Sequence, residues 1–283
     1  MTENFESSGS IQPLNVGNVV SAGMRLYRAN LKDYFLIALK AYCWILIPIY
    51  GWAKFSALSA LISRLAFGHL TNQPESIKNG QDFVNSRKWS FLGTLFLMML
   101  AIIGIGIISA IAYLIIGIGI GGVIANFAQG NTGALVISII LGLVLGIVAL
   151  LGILWLFTRF YLYDVPLAIE DDVDSLSTIS RSWELTKGHV WRILLISFIA
   201  FLITFPLQII IQVMGTILQL AFAPAMANNS PIASLLYLII LFTISFSGGA
   251  IILPFMQAVK AVIYYDMRSR KEGLGLNLRP NNL

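Results

Sequence analysis

Two long stretches of the chain contain no charged side chain. Residues 89–158 and residues 194–259 lack Lys, Arg, Asp and Glu altogether. A helix that crosses a bilayer needs about 20 apolar residues, so each stretch is long enough for two crossings. Each stretch therefore predicts a pair of transmembrane helices that returns to the side on which it began.

Polar turns and basic flanks support this interpretation. Residues 128–133 and 224–231 carry Gly, Asn and Pro, which break helices, and carry no charge. The segments outside the stretches are basic, and their cations are Lys78, Arg87 and Lys88, then Arg159, Arg181, Lys187 and Arg192, then Lys260, Arg268, Arg270 and Lys271. Because Lys and Arg concentrate in cytoplasmic loops, all three flanks are predicted to be cytoplasmic.

An earlier apolar stretch, residues 34–67, is ambiguous because it contains Lys40, Lys54 and Arg64 and is interrupted at residues 47–51. One long helix and a short hairpin both fit. A single crossing would place the basic residues 25–32 outside, against the positive-inside rule, so the hairpin is favoured. Its two arms, of roughly 16 residues each, are short for complete crossings.

The predicted fold is an all-α integral membrane protein with about six transmembrane helices. These form three hairpins, each preceded by an amphipathic surface helix on the cytoplasmic side. The predicted spans are 34–49, 51–67, 90–112, 134–158, 193–218 and 232–258. They belong to one helical membrane domain, residues 15–273, between a disordered polar tail at 1–14 and a C-terminal tail at 274–283. The predicted location is the plasma membrane, with both termini cytoplasmic.

The surface helix before the third hairpin has the clearest pattern. Leu176, Ile179 and Trp183 recur at helical spacing, with Arg181 and Lys187 among the polar positions. We expect the three apolar side chains to face the apolar boundary of the headgroup layer and Arg181 to face water or lipid phosphate. Lys187 would add about 1 kcal/mol of attraction to anionic lipid. The alternative is a helix that acts as a strut, with Trp183 buried in protein.

Composition excludes an ordinary soluble domain. Of 283 residues, 58% are hydrophobic and 11% charged, and the mean hydropathy is +0.84. Average soluble domains have roughly 25% charged residues. The net charge of +5 could indicate nucleic-acid binding, but an excess of Lys and Arg beside membrane spans explains it without that partner.

Three segments carry a family resemblance. They are residues 166–191 (PLAIEDDVDSLSTISRSWELTKGHVW), 14–30 (LNVGNVVSAGMRLYRAN) and 261–273 (AVIYYDMRSRKEG). Together they resemble an uncharacterised prokaryotic multi-pass membrane family related to the membrane domain of glycerophosphodiester phosphodiesterases. The resemblance implies a helical bundle with cytoplasmic linkers. It transfers no catalytic residue, and no remaining segment could hold the soluble phosphodiesterase barrel.

Motifs for chemistry are sparse. His69 and His189 are the only histidines and Cys43 is the only cysteine, so no metal set or nucleophile pair is predicted. The acidic residues 170–174 could coordinate a cation, but capping by Asp174 or Ser175 of the helix that begins there is the simpler explanation. We therefore predict no catalytic, cofactor or metal site.

One polar alignment lies within a predicted span. Gln208, Gln212, Thr216 and Gln219 are spaced to share one helix face just after Pro206. They could line a polar path, although such side chains more often bond to a neighbouring helix. The pairs Gly142/Gly146 and Gly117/Gly121 are likewise interpreted as close-packing faces within the bundle, with dimerisation as the less favoured use.

The function predicted from the sequence is non-enzymatic. Basic surface helices would bind or organise membrane lipids or other membrane proteins at the cytoplasmic face. The alternative is a transporter or channel for a small solute. Ion-coupled transporters keep ionisable residues at membrane depth, and the two charge-free stretches have none.

Overall fold

The computed structural model describes residues 15–127, 132–228 and 230–272, and every regular element in those ranges is a helix. The helices are α1 Val16–Ala29, α2 Leu31–Trp44, α3 Tyr50–Leu70, α4 Ile77–Ser86, α5 Lys88–Phe127, α6 Thr132–Arg159, α7 Val165–Ile169, α8 Ser177–Thr186, α9 Val190–Ala227 and α10 Pro231–Glu272. The predicted tails at 1–14 and 274–283 lie outside the described residues, as do the turn residues 128–131 and 229.

Four of these helices are long and apolar enough to cross a membrane. They are α5 over Lys88–Ile111, α6 over Ile139–Arg159, and α9 and α10 over their whole lengths. All four draw their apolar segments from the two charge-free stretches. The chain is therefore an all-helical membrane protein, and the described residues hold four candidate crossing helices.

The stretch 34–67 differs from the predicted crossing hairpin. It forms α2 and α3, which pack against each other and are joined by a turn at residues 45–49. Tyr50, at the start of α3, lies against Trp89, with 6.2 Å between ring centroids, and the Lys54 ammonium donates a 2.8 Å hydrogen bond to the Asn85 side chain. The turn therefore lies beside the beginning of α5, and crossings at 34–49 and 51–67 are not confirmed, since neither α2 nor α3 is among the four candidate crossing helices.

The physical reason is the polarity of α3. Lys54 and Arg64 each need a polar partner, and both find one among neighbouring surface segments. The Arg64 guanidinium forms an ion pair with Glu75 and donates a 2.8 Å bond to the Ala168 carbonyl. With these two polar side chains in its sequence, α3 is not among the four candidate crossing helices.

α10 lies at the centre of the bundle and packs against α1, α2, α3, α7, α8 and α9. Glycine permits the closest approach, since a Cβ on Gly23 of α1 would lie 3.1 Å from the Cα of Val259. Around α10 the buried residues form two apolar clusters, and their largest fully buried side chains include Tyr34 and Tyr264.

The two predicted glycine faces meet no neighbour among the described side chains. No described atom lies within 4 Å of the Cβ position of Gly142 or Gly146, nor of Gly117 or Gly121. The interpretation of these pairs as close-packing faces stays a prediction. Gly23, which does allow close packing, lies in the polar surface segment α1. It has no other glycine four residues before or after it.

The ends of α8 follow the sequence prediction. One Asp174 carboxylate oxygen accepts hydrogen bonds from the backbone N–H of Ser177 at 2.8 Å and of Leu176 at 3.1 Å. The hydrogen bonds from Ser177 hold the pKa of Asp174 below its usual value. At the other end Gly188 has φ +84°, the left-handed conformation that terminates helices. Asp174 thus accepts from backbone N–H groups at the start of α8, as expected of the acidic run, although it lies two residues before the N-cap position, Leu176.

Candidate functional site

A cavity of about 510 Å³ lies between α5, α6, α9, α10 and the turn that follows α6. Its α5 wall consists of Leu95, Met98, Met99 and Ile102, and α6 adds Leu154 and Phe157. Cavities of this size and composition hold small apolar or amphipathic ligands in many proteins. Most of the cavity surface is therefore suited to contact with hydrocarbon chains.

One end of the cavity is polar and charged. The Lys260 ammonium lies 3.0 Å from both carboxylate oxygens of Asp164. Asp164 is only 5% exposed, so the two charges neutralise each other away from water. A buried charge is tolerated only when it is paired in this way.

Further hydrogen bonds support the pair from behind. The Gln257 side-chain amide donates to Asp164 at 3.0 Å, and the Ser63 hydroxyl donates to the Gln257 side-chain oxygen at 2.7 Å. This chain of polar contacts joins α3, α10 and the segment before α7. It gives the buried Asp164 carboxylate a further hydrogen bond and fixes the position of that carboxylate beside Lys260.

Local sequence explains how the polar end forms. Gln257 and Lys260 are three residues apart and share a face of α10. Asp164 lies next to α7, where Pro166 near the first helical position suits a chain entering a helix. Sequence reasoning treated Lys260 only as a flanking cation and did not single out Asp164. The pair is separated by 96 residues along the chain, so spacing alone could not reveal it.

Two tyrosines border the ammonium. Lys260 Nζ lies 5.4 Å from the ring centroid of Tyr161 and 5.3 Å from that of Tyr163, within cation–π range. Burial, with the charge of Asp164 as a second cause, raises the pKa of both hydroxyls, so they stay protonated at neutral pH. The Tyr161 hydroxyl is buried and has no hydrogen-bond partner in the described ranges. It remains a donor available beside the cavity.

The predicted surface helix, α8, has one buried face and one exposed face. Leu176 is 66% exposed and Trp183 is 36% exposed, and Ile179 is partly buried. Thr178, Ser182, Leu185 and Thr186 form the buried face instead. The apolar stripe read from the sequence thus lies outside the buried face of α8 and is only partly covered by the rest of the protein.

Trp183 also has protein contacts. Its ring packs edge-on against Trp155, with 5.8 Å between centroids, and the Arg159 guanidinium carbon lies 4.0 Å from its centroid. Phe160 contacts the same ring. Trp183 therefore fastens α8 to the end of α6 with one face and leaves part of its surface uncovered.

The two basic residues of that helix differ. Arg181 is held by carboxylates, at 3.1 Å from Glu170 and in an ion pair with Glu272. This differs from the expected contact with water or lipid phosphate, because two acids from other segments converge on it. Lys187 follows the last residue of α8 and is exposed.

The glutamine face of α9 does not line this cavity. Gln208 donates a 3.1 Å hydrogen bond to Thr204 of its own helix, and Thr216 donates to the Gln212 backbone. Gln212, Thr216 and Gln219 are exposed on the surface of α9. Their use as a polar path or as contacts to a neighbouring helix stays a prediction.

Comparison with known proteins gives one match. The family model described as the membrane domain of glycerophosphoryl diester phosphodiesterase matches residues 132–279. No curated protein matches the chain, and no solved structure does. The matched region runs from α6 through α10, so it contains Asp164, Gln257 and Lys260 but not the α5 wall of the cavity.

Proposed function

The chain belongs to the family of glycerophosphoryl diester phosphodiesterase membrane domains, and from this premise we propose that it is a non-enzymatic protein that binds membrane lipid in its cavity. The bound molecule has an apolar chain against α5 and α6. Its headgroup has acceptor oxygens at the end formed by Lys260 and Tyr161. Other membrane proteins bind at its cytoplasmic face as well.

The observation that supports it best is the composition of the cavity. Its walls are mostly apolar, the Thr158 and Ser197 hydroxyls are bonded to their own helices, and a paired ammonium and protonated phenols meet at one end. A phosphate or ester oxygen can accept from either group without disturbing Asp164, because an ammonium has three donors. The enzyme in the family description is named for glycerophosphoryl diesters, which carry such oxygens.

The proposed orientation follows from the charges. α5–α6 and α9–α10 form two crossing hairpins, and the end that carries Lys78, Arg181 and Lys271 faces the cytoplasm. Both termini would then be cytoplasmic and the membrane the plasma membrane. An amphipathic segment precedes each hairpin, and the one that contains α8 exposes Leu176 and Trp183.

Lipid retention tests the proposal. The protein is purified in mild detergent, and the lipid that remains bound is quantified by native mass spectrometry and extraction. Met98→Trp places an indole in the cavity and is expected to reduce retained lipid about tenfold, equivalent to about 1.4 kcal/mol. Ile108→Trp on the lipid-exposed surface of the same helix is the matched control. Equal retention by the two folded variants, or no retained lipid in the unsubstituted protein, would contradict the proposal.

Fluorescence tests the proposed role of α8. In a variant that retains Trp183 as its only tryptophan, brominated acyl chains are expected to quench emission, because the exposed part of the ring would lie at the apolar boundary. Lipids without bromine provide the control. Unchanged emission from the folded variant would show that Trp183 is only a strut against Arg159 and Phe160.

A transporter is the second candidate, and the Lys260–Asp164 pair is the observation in its favour. Ion-coupled transporters use ionisable residues at membrane depth, and this buried pair lies just beyond the end of the predicted span 232–258. Flux of candidate solutes into proteoliposomes is the test. Transport that an Asp164→Asn variant loses would favour this candidate over simple lipid binding.

A further inference from the structure

The turn between α2 and α3 exposes apolar side chains where a soluble protein would expose polar ones. We define the α2–α3 tip as residues 44–52. Within it Leu46, Ile47, Ile49 and Trp52 are exposed, and Ile49 reaches 60% exposure. A tip of four adjacent large apolar groups is unfavourable in water, since each of them would gain by burial.

Aromatic rings and lysines surround the base of the tip. Tyr50 packs against Trp44, with 5.6 Å between centroids, and against Trp89 on α5. The ammonium of Lys88 lies 5.3 Å from the Tyr50 ring centroid, and that of Lys54 lies 5.9 Å from it. Trp, Tyr and Lys together are the residues that occupy the boundary between hydrocarbon and water.

The tip is continuous with a surface that faces lipid. Trp89 is exposed beside Tyr50, and α5 continues from there as a candidate crossing helix with Phe96 and Met99 exposed. The tip and this helix both expose large apolar side chains. The occupant that suits both surfaces is the same hydrocarbon layer.

The backbone of the tip is strained at one of its exposed apolar residues. Ile49 has φ +60°, a conformation that is costly for a β-branched residue. Ile49 follows Pro48, whose carbonyl accepts a 2.7 Å hydrogen bond from the Tyr50 N–H, and both Ile47 and Ile49 are exposed in this turn. Strain of this kind persists where the surrounding structure enforces it and often marks a functional segment.

We propose that the α2–α3 tip is a re-entrant membrane anchor, which enters the lipid leaflet nearest Lys54 and Lys88 and turns back within it. The partner is the bilayer itself, with acyl chains around Ile47 and Ile49 and headgroup phosphates near the two lysines. The anchor does not depend on the cavity or on the lipid that the cavity holds.

Cysteine labelling tests this placement. Ile49→Cys is made in a Cys43→Ser background, labelled with an environment-sensitive dye and reconstituted in vesicles of phosphatidylcholine and phosphatidylglycerol. Spin labels attached near the headgroup are expected to quench the dye more strongly than labels near the acyl-chain end. An impermeant thiol reagent is expected to leave Ile49→Cys unmodified from both sides.

Two exposed positions calibrate the reagent. Asn228→Cys marks the turn between α9 and α10, and Lys78→Cys marks the charged end. Modification of Ile49→Cys from the Asn228 side would show a crossing hairpin and overturn the proposal. A dye that no spin-labelled lipid quenches would overturn it too, because the tip would then be covered by water or protein.

The native thiol provides the same measurement without altering the tip. Cys43 is exposed, is the only cysteine and directly precedes Trp44. A dye on Cys43 of the otherwise unchanged chain is expected to be quenched by the label near the headgroup. If it is quenched by neither label, the result counts against the anchor even where Ile49→Cys fails to fold.

Discussion

Replacing Asp164 with alanine is expected to lower the free energy of unfolding by about 3–5 kcal/mol, because it leaves the Lys260 ammonium buried without its counter-ion. It also removes the acceptor for the Gln257 amide. Reversible unfolding in detergent, followed by helical circular dichroism, measures the change. Asp82→Ala, at an exposed carboxylate of α4, is the control and is expected to shift stability by less than about 0.5 kcal/mol.

A double substitution separates the pair from its surroundings. Asp164→Leu combined with Lys260→Met removes both charges and is expected to recover most of the lost stability. If Asp164→Ala unfolds at the same denaturant concentration as the unsubstituted protein, the buried ion pair is not a structural requirement. The cavity would then need another explanation for its polar end.

Replacing Gly51 with alanine is expected to destabilise the protein by about 1–3 kcal/mol, because the new Cβ would overlap the Trp44 carbonyl oxygen. That oxygen belongs to the backbone at the end of α2 and cannot rotate away. The turn must open to relieve the clash. Thermal unfolding in detergent measures the loss of stability, and the labelling rate of native Cys43 reports the opening.

Gly142→Ala is the matched control for Gly51→Ala. A Cβ on Gly142 meets no described atom within 4 Å, so the substitution is expected to leave the unfolding temperature unchanged. If the two variants unfold at the same temperature, Gly51 does not lie against the Trp44 carbonyl oxygen.

The sequence predicted the features that depend on long-range composition. The absence of charge over residues 89–158 and 194–259 is sufficient to identify hydrocarbon-compatible helices, because no other environment tolerates so many unpaired apolar side chains. Capping by Asp174 was also predictable, since a cap involves only residues within one turn.

Features that depend on tertiary contact were not predictable. Lys54 and Arg64 looked like interruptions of a crossing helix, and only the contacts with Asn85 and Glu75 show why α3 stays beside the start of α5. The Asp164–Lys260 pair joins distant segments and has no local pattern.

The central position of α10 has a consequence for biogenesis. Ribosomes release a chain from its N-terminus, so α1, α2 and α3 enter the membrane region before α10 exists. Until α10 is inserted, the carboxylate of Asp164 lacks both Gln257 and Lys260. Assembly of the early helices must therefore wait for the last described one. A chain truncated before α10 would expose an unneutralised acid, which membrane quality-control proteases could recognise.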